Sequence, residues 1–189
     1  MNFLLRLADA ADAASRGIGA VLKWLAVLLV LVQFAVVVLR YVYGSSFIWM
    51  QESVTYLHAT LFMLAIAYTY LLDGHVRVDV LYAGWSPRRR AVVDLLGILI
   101  GVLPFCALML WASWPDVTRS WALGEGPMQY GGLPLTPLFK SLLPAMAVLL
   151  AIQAFSIAIR AMGFGGVRGR FPRRPPTART VDAAMSIEA

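Results

Sequence analysis

The sequence predicts an all-α membrane protein with four transmembrane helices, both termini in the cytoplasm and a short N-terminal helix at the membrane interface. Of its 189 residues, 60% are hydrophobic and 14% are charged, and the mean hydropathy is +0.75. Soluble domains are roughly 45–50% apolar and about 25% charged, and disordered chains are poorer still in apolar residues. The composition therefore excludes both a water-soluble core and a disordered chain.

Four apolar segments are long enough to cross a bilayer, which takes about 17–25 helical residues. Each has a centre without Asp, Glu, Lys or Arg, and the spans cover about residues 17–43, 53–72, 95–114 and 138–161. An outer loop at about 115–137 contains Gly and Pro pairs that favour turns. The chain thus divides into an N-terminal amphipathic segment (1–16), a four-helix membrane domain (17–162) and a disordered basic tail rich in Pro and Arg (163–189).

The basic residues indicate the orientation of these spans. With four crossings, 13 of the 16 Lys and Arg residues fall on the side that holds both termini and the loop between spans two and three. Cytoplasmic loops carry the excess of Lys and Arg, so both termini are predicted to be cytoplasmic. Because the basic residues flank apolar segments, the net charge of +6 indicates topology and lipid contact rather than nucleic-acid binding.

The N-terminal segment has the pattern of a helix that lies on a membrane surface. Phe3, Leu4, Leu7 and Ala11 share one helical stripe, and the charged residues lie off it. At the other side of the membrane, Arg40 ends the first span and Glu52 begins the second. Since a short loop joins them, the two are expected to form an ion pair.

The membrane-spanning segments offer few candidates for chemistry. The only cysteine, Cys106, is expected to be a small buried hydrophobe. His58 is interpreted as a satisfied polar packing residue. Gly97 and Gly101 form a pair that favours close helix packing, with a chance pair as the equal alternative because Gly is common in membrane spans. No catalytic motif, metal site or cofactor site is predicted.

Two other classes of membrane protein remain as alternatives. One is the membrane anchor of a respiratory complex that holds haem or quinone, with His58 as a ligand. Along a continuous helix His58 and His75 would be roughly 25 Å apart, too far to hold one haem together. The other is a small proton-coupled exporter, which the absence of a carboxylate at mid-membrane disfavours.

Several motifs resemble the small membrane subunit, of the DctQ type, of tripartite ATP-independent periplasmic (TRAP) transporters. The motifs are Arg40-Tyr41-Val42-Tyr43-Gly44-Ser45, Trp49-Met50-Gln51-Glu52, His75-Val76-Arg77-Val78-Asp79 and Gly132-Leu133-Pro134-Leu135. The second resembles the Trp-x-Glu-Glu motif of that family. It departs from the family at Gln51, where a glutamate is usual, and at Thr55, where a basic residue is frequent.

The resemblance implies an accessory role in the inner membrane of a bacterium. In that family a large membrane subunit carries out sodium-coupled uptake, typically of an organic acid, and a periplasmic substrate-binding protein delivers the solute. The small subunit is thought to brace the large one and has no catalysis of its own. The residues that the resemblance marks as structural or subunit contacts are Arg40, Trp49, Glu52, His75, Arg77 and Asp79.

Overall fold

The computed structural model describes residues 2–72 and 87–162, and this part of the chain consists of helices joined by short loops. The helices are α1 (Asn2–Tyr41), α2 (Ile48–Leu71), α3 (Pro87–Gly97), α4 (Leu103–Leu123) and α5 (Thr136–Met162), with a π-helical turn (Ile98–Val102) between α3 and α4. Because α3, the π-helical turn and α4 follow one another without a loop, they form one continuous rod.

The prediction of an all-helical membrane protein with four spans is confirmed. Four stretches are long and apolar enough to cross a membrane: Leu5–Tyr41, Ile48–Leu71, Val92–Leu123 and Thr136–Arg160. Each consists of 24 or more residues, which at 1.5 Å per residue exceeds the roughly 30 Å of a hydrocarbon core. The chain is therefore a multi-pass membrane protein.

Helix α5 lies at the centre of the bundle, where it packs against α1, α2, α3 and α4. Half of its most apolar stretch is buried, against 6% for α1 and α2. Small residues let the neighbouring helices approach it: Ala147 contacts buried Cys106 of α4, and Ala154 contacts the buried Ile98. Cys106 is 2% exposed, so the expectation that it is a small buried hydrophobe is confirmed.

The two ends of the bundle are distinguished by what they hold. The loop end contains the α1–α2 connection (42–47) and the α4–α5 loop (124–135). The terminal end contains the first turns of α1 and the last turns of α5, which contact each other through Asp12 and Ser156. Both ends of the described chain therefore lie on the same side of the bundle, as four crossings require.

Helix α1 is one unbroken helix from Asn2 to Tyr41, about 60 Å long. Its first turns continue the span, and their placement at a membrane interface stays a prediction. The face packed into the bundle begins with Ala8, Asp12 and Ser15, whereas Phe3 and Leu7 are exposed. Further along, Gly19 lets α1 approach α2, since a Cβ there would lie only 2.6–2.7 Å from ring atoms of Tyr68.

The third span differs from a regular helix at the π-helical turn. The N–H of Leu103 bonds to the carbonyl of Ile98, five residues back. Pro104 follows and has no N–H to donate to the carbonyl of Ile100, which favours this wider turn. Gly97 and Gly101 do not mediate packing between described helices, because a Cβ at either would meet nothing within 4 Å.

The outer loop is shorter than the sequence predicts. Helix α4 continues through Pro115 to Leu123 and ends at Gly124, whose φ of +56° suits glycine. Pro115 removes one backbone hydrogen bond from the helix, and the helix tolerates that loss. The loop therefore begins at residue 124 instead of 115, and Ser120 and Asp116 lie on helix rather than in the loop.

Candidate subunit-contact site

Glu52 holds the α4–α5 loop against the first turns of α2. Its Oε2 accepts a hydrogen bond of 2.7 Å from the backbone N–H of Leu133. Glu52 is only 9% exposed. Gly132, which precedes Leu133, permits this close approach, because a Cβ there would overlap the Glu52 carboxylate unless that side chain moved. The Gly-Leu pair of the fourth motif thus lies directly on the glutamate of the second motif, although 81 residues separate them.

Two polar atoms beside this contact are buried without a hydrogen-bond partner among the described residues. They are Oε1 of Glu52 and the hydroxyl oxygen of Tyr56, one turn further along α2. The Tyr56 ring packs edge-on against Phe139 of α5, with 5.0 Å between ring centroids. Buried polar atoms of this kind usually bind an ordered water or a partner group.

Arg40 and Trp49, two further residues of the predicted site, lie on the surface of the loop end. Arg40 is exposed at the last turn of α1, and no ion pair joins it to Glu52 in the described structure. The predicted Arg40–Glu52 pair is therefore wrong, because the Glu52 carboxylate turns inward to the Leu133 amide instead. Trp49 is 48% exposed, and its ring lies 6.3 Å from that of Phe47.

His75, Arg77 and Asp79 lie outside the described residues. The structure therefore neither joins them to one another nor places them relative to Glu52. The basic tail after Met162 also lies outside the described part of the chain.

A second set of polar contacts at the loop end centres on Lys140, near the start of α5. Its ammonium donates to Glu125 Oε2 at 2.7 Å and to Asp116 Oδ1 at 3.2 Å. The hydroxyl of Ser120 also donates to Glu125 Oε2, at 2.5 Å. These hydrogen bonds, that from Lys140 first, lower the pKa of Glu125 below its ordinary value of 4.5. The contacts tie the start of the α4–α5 loop to α5.

The terminal end contains a buried polar network that joins α1 to α5. Asp12 Oδ1 accepts hydrogen bonds from the Gln153 amide at 3.1 Å and the Ser156 hydroxyl at 2.9 Å. Asp12 Oδ2 pairs with Arg160 at 2.7 Å, and Ser15 donates to Gln153 Oε1 at 2.7 Å. Asp12 is 7% exposed and Gln153 is fully buried. The network fixes the first turns of α1 against the last turns of α5.

Sequence reasoning missed this network, although the sequence contains a signal for it. Gln153, Ser156 and Arg160 follow one another at intervals of three and four along an otherwise apolar helix. That spacing places them on one face, so a polar partner was to be expected on a neighbouring helix. Nothing in the local pattern identifies Asp12 as that partner, because 141 residues separate it from Gln153.

His58 lies on the exposed surface of α2, whereas a satisfied packing residue would contact a neighbouring helix. It is exposed on α2 and has no hydrogen-bond partner among the described residues. Its ring stacks with that of Phe62, 6.4 Å away and within 9° of parallel. No described residue therefore satisfies His58, because this face of α2 lies away from its contacts with α1 and α5.

The described residues form no constellation for metal chemistry, since no three His, Cys, Asp or Glu side chains converge in ranges 2–72 and 87–162. The polar groups that do converge hold helices and a loop together. The arrangement is suited to fixing a rigid membrane scaffold.

Comparison with known proteins gives one family. Residues 29–163 match the family described as tripartite ATP-independent periplasmic transporters, DctQ component. The match begins within α1, includes all of α2 to α5 and covers more than half of the chain. Neither the curated proteins nor the solved structures yield a significant match.

Proposed function

We propose the following role for this chain, which belongs to the DctQ component family of tripartite ATP-independent periplasmic transporters. It is the small membrane subunit that braces the large membrane subunit during sodium-coupled uptake of an organic acid. A periplasmic substrate-binding protein supplies the solute. The complex lies in the inner membrane of a bacterium, with both termini of this chain in the cytoplasm.

The family match over residues 29–163 carries this proposal, and the charge distribution supports it. The centres of the four spans contain no Asp, Glu, Lys or Arg. Secondary transporters bind substrate and coupling ion near the bilayer midplane with polar side chains and broken helices. A chain whose midplane lacks ionisable groups is suited to supporting such a site in another subunit, and family membership favours this role over a respiratory anchor or an exporter.

The proposal is tested by co-purification and uptake in the same cells. The large subunit is expected to purify with affinity-tagged chain in mild detergent, and deletion of this chain alone is expected to abolish sodium-dependent uptake of the transported acid. Uptake that persists at the normal rate without this chain would contradict the bracing role. A purified chain that retains no large membrane protein would contradict the assembly itself.

Orientation is tested separately by labelling introduced cysteines with a membrane-impermeant maleimide. Cys106 is the one cysteine in the sequence and is buried, so a Cys106→Ala background contains no native thiol that could compete for the label. Tyr130→Cys, at a site 99% exposed in the loop end, is expected to react from the periplasm. Ala13→Cys, exposed at the terminal end, is expected to react only after the cells are lysed. The reverse result would contradict cytoplasmic termini.

Arg40, Trp49, Arg77 and Asp79 are proposed as contacts to the large subunit, together with His75. Arg40 and Trp49 support this by being exposed at the loop end, where a neighbouring subunit can reach them. Glu52 serves the contact indirectly, by fixing the loop beside them. Arg77→Gln is expected to lower recovery of the large subunit, whereas Arg119→Gln, an exposed charge on α4, serves as the control.

A further inference from the structure

The exposed surface of α2 is narrow and unusual for a membrane-spanning helix. From its second turn onward only Thr55, His58 and Phe62 are exposed, and Gln51 precedes them on the same line. We call these four residues the α2 stripe. Their spacing of four, three and four residues is that of a seam along which a second helix packs. The rest of the helix from residue 52 to 71 is buried or half-buried.

The α2 stripe is polar at a depth where lipid offers no hydrogen bonds. His58 lies ten residues from the start of α2, about 15 Å along the axis and therefore near the middle of a bilayer. A neutral imidazole has one donor and one acceptor, and neither is used among the described residues. Polar groups inside membranes normally face protein and bind a partner there.

Gln51 and Thr55 show by contrast why His58 is the informative residue. The Gln51 amide donates to Ser46 at 2.8 Å, and the Thr55 hydroxyl donates to the Gln51 carbonyl at 3.4 Å. Both side chains therefore have a hydrogen-bond partner within the chain. His58 keeps its full hydrogen-bonding capacity for a group outside the described chain.

The other side of the bundle lacks this property. The exposed residues in the middle of α4 are apolar, among them Phe105, Leu108 and Trp111, and those of α5 are Val148, Ile152 and Phe155. The remaining exposed polar side chain in the middle of a described span is Gln33, on α1. Helix α1 packs beside α2, and the approach of Gly19 to Tyr68 places Gln33 within one turn of Thr55 in depth.

From these observations we propose that the α2 stripe is the docking surface for a transmembrane helix of the large subunit. That helix carries a hydrogen-bonding side chain at mid-membrane depth, which pairs with His58. The α4 side of the bundle faces lipid. This inference rests on the proposed function, since it takes the large subunit as the occupant.

Photo-crosslinking in the assembled complex tests the docking surface without removing packing contacts. p-Benzoylphenylalanine is incorporated in place of His58 or Phe62, and in place of Trp111 on α4 as the matched control, and intact membranes are irradiated. Adducts with the large subunit are expected from positions 58 and 62 and not from position 111. Adducts from position 111 alone, adducts with a second copy of this chain, or lipid adducts at every position would overturn the proposal.

The proposed hydrogen bond is tested by two variants at one position. His58→Leu is expected to weaken retention of the large subunit by about 3- to 20-fold, the range for a single interhelical hydrogen bond in a membrane. His58→Gln keeps a donor and an acceptor and is expected to stay near the unmodified protein. Equal retention by the two variants would overturn the hydrogen bond, and a Soret absorption band in the purified complex would reassign His58 to haem.

These results separate the two proposals. If affinity-tagged chain retrieves no large subunit, the proposed function fails. If it retrieves the large subunit but the adducts arise from α4, the proposed function stands and the α2 stripe is not the docking surface.

Discussion

The two ends of the bundle are both held by charged and polar side chains, but in different surroundings. At the terminal end, Asp12 is 7% exposed and binds three side chains of α5. At the loop end, Lys140, Glu125 and Asp116 form ion pairs whose side chains are 25%, 42% and 62% exposed. Buried, fully bonded groups resist removal, whereas exposed ion pairs contribute little. The first turns of α1 are therefore fixed more firmly than the loop at the opposite end.

The largest effect is expected from Asp12→Ala. It leaves the Gln153 amide, the Ser156 hydroxyl and the Arg160 guanidinium without their shared acceptor, and we expect a loss of about 2–3 kcal/mol in the free energy of unfolding. For a protein of this size that lowers the thermal midpoint by roughly 5–10 °C, measured on purified protein in detergent. Asp9→Ala is the matched control, because Asp9 binds the same Arg160 but is 57% exposed. A midpoint no lower for Asp12→Ala than for Asp9→Ala would remove the contrast between the ends.

An intermediate effect is expected at Gly132, where the loop meets Glu52. Gly132→Ala forces the new methyl group against the Glu52 carboxylate, so the Leu133 hydrogen bond is broken or stretched at a cost of about 1–2 kcal/mol. Faster hydrogen exchange at the Leu133 amide, by roughly tenfold, reports this directly. Gly126→Ala in the same loop is the control, since its Cβ meets nothing within 4 Å. Unchanged exchange in Gly132→Ala would show that the loop is not fixed by Glu52.

The smallest effect is expected from Glu125→Gln, and it depends on pH. The pKa of Glu125 is lowered in the folded protein, so its contribution to stability is present above the ordinary value of 4.5 and is lost as pH falls through the lower folded value. The difference in thermal midpoint between the unmodified protein and Glu125→Gln should therefore be small at pH 7 and vanish in acid. It should also shrink in 1 M salt. A difference that grows as the pH falls would contradict the assigned sign.

The sequence predicts the spans well because the signal is local. A run of apolar residues without charge determines a membrane helix almost by itself, and all four runs became helices. The prolines were misleading: Pro115 was expected to begin a loop, yet α4 continues to Leu123 because a long helix survives one missing hydrogen bond. The π-helical turn was not predicted either. Apolar content does not distinguish backbone hydrogen bonds that reach five residues back from those that reach four residues back.

The candidate site was less accessible to prediction because its contacts join distant parts of the chain. The motifs containing Glu52 and Gly132 were identified separately, but their direct contact was not. Arg40 was expected to pair with Glu52 because the two lie close in sequence, and the structure favours a more distant partner. His58 illustrates the same limit, since exposure on one face of α2 depends on where α1 and α5 pack.

The length of α1 has a mechanical consequence. A helix of about 60 Å is twice as long as the hydrocarbon core is thick, so a bilayer covers it only in part. Because Asp12 clamps the overhanging turns to α5, they cannot bend independently of the bundle. For a rigid rod of this length, a tilt of about 10° would displace one end by roughly 10 Å relative to the other. Any small tilt of the bundle would therefore become a large displacement at the first turns of α1.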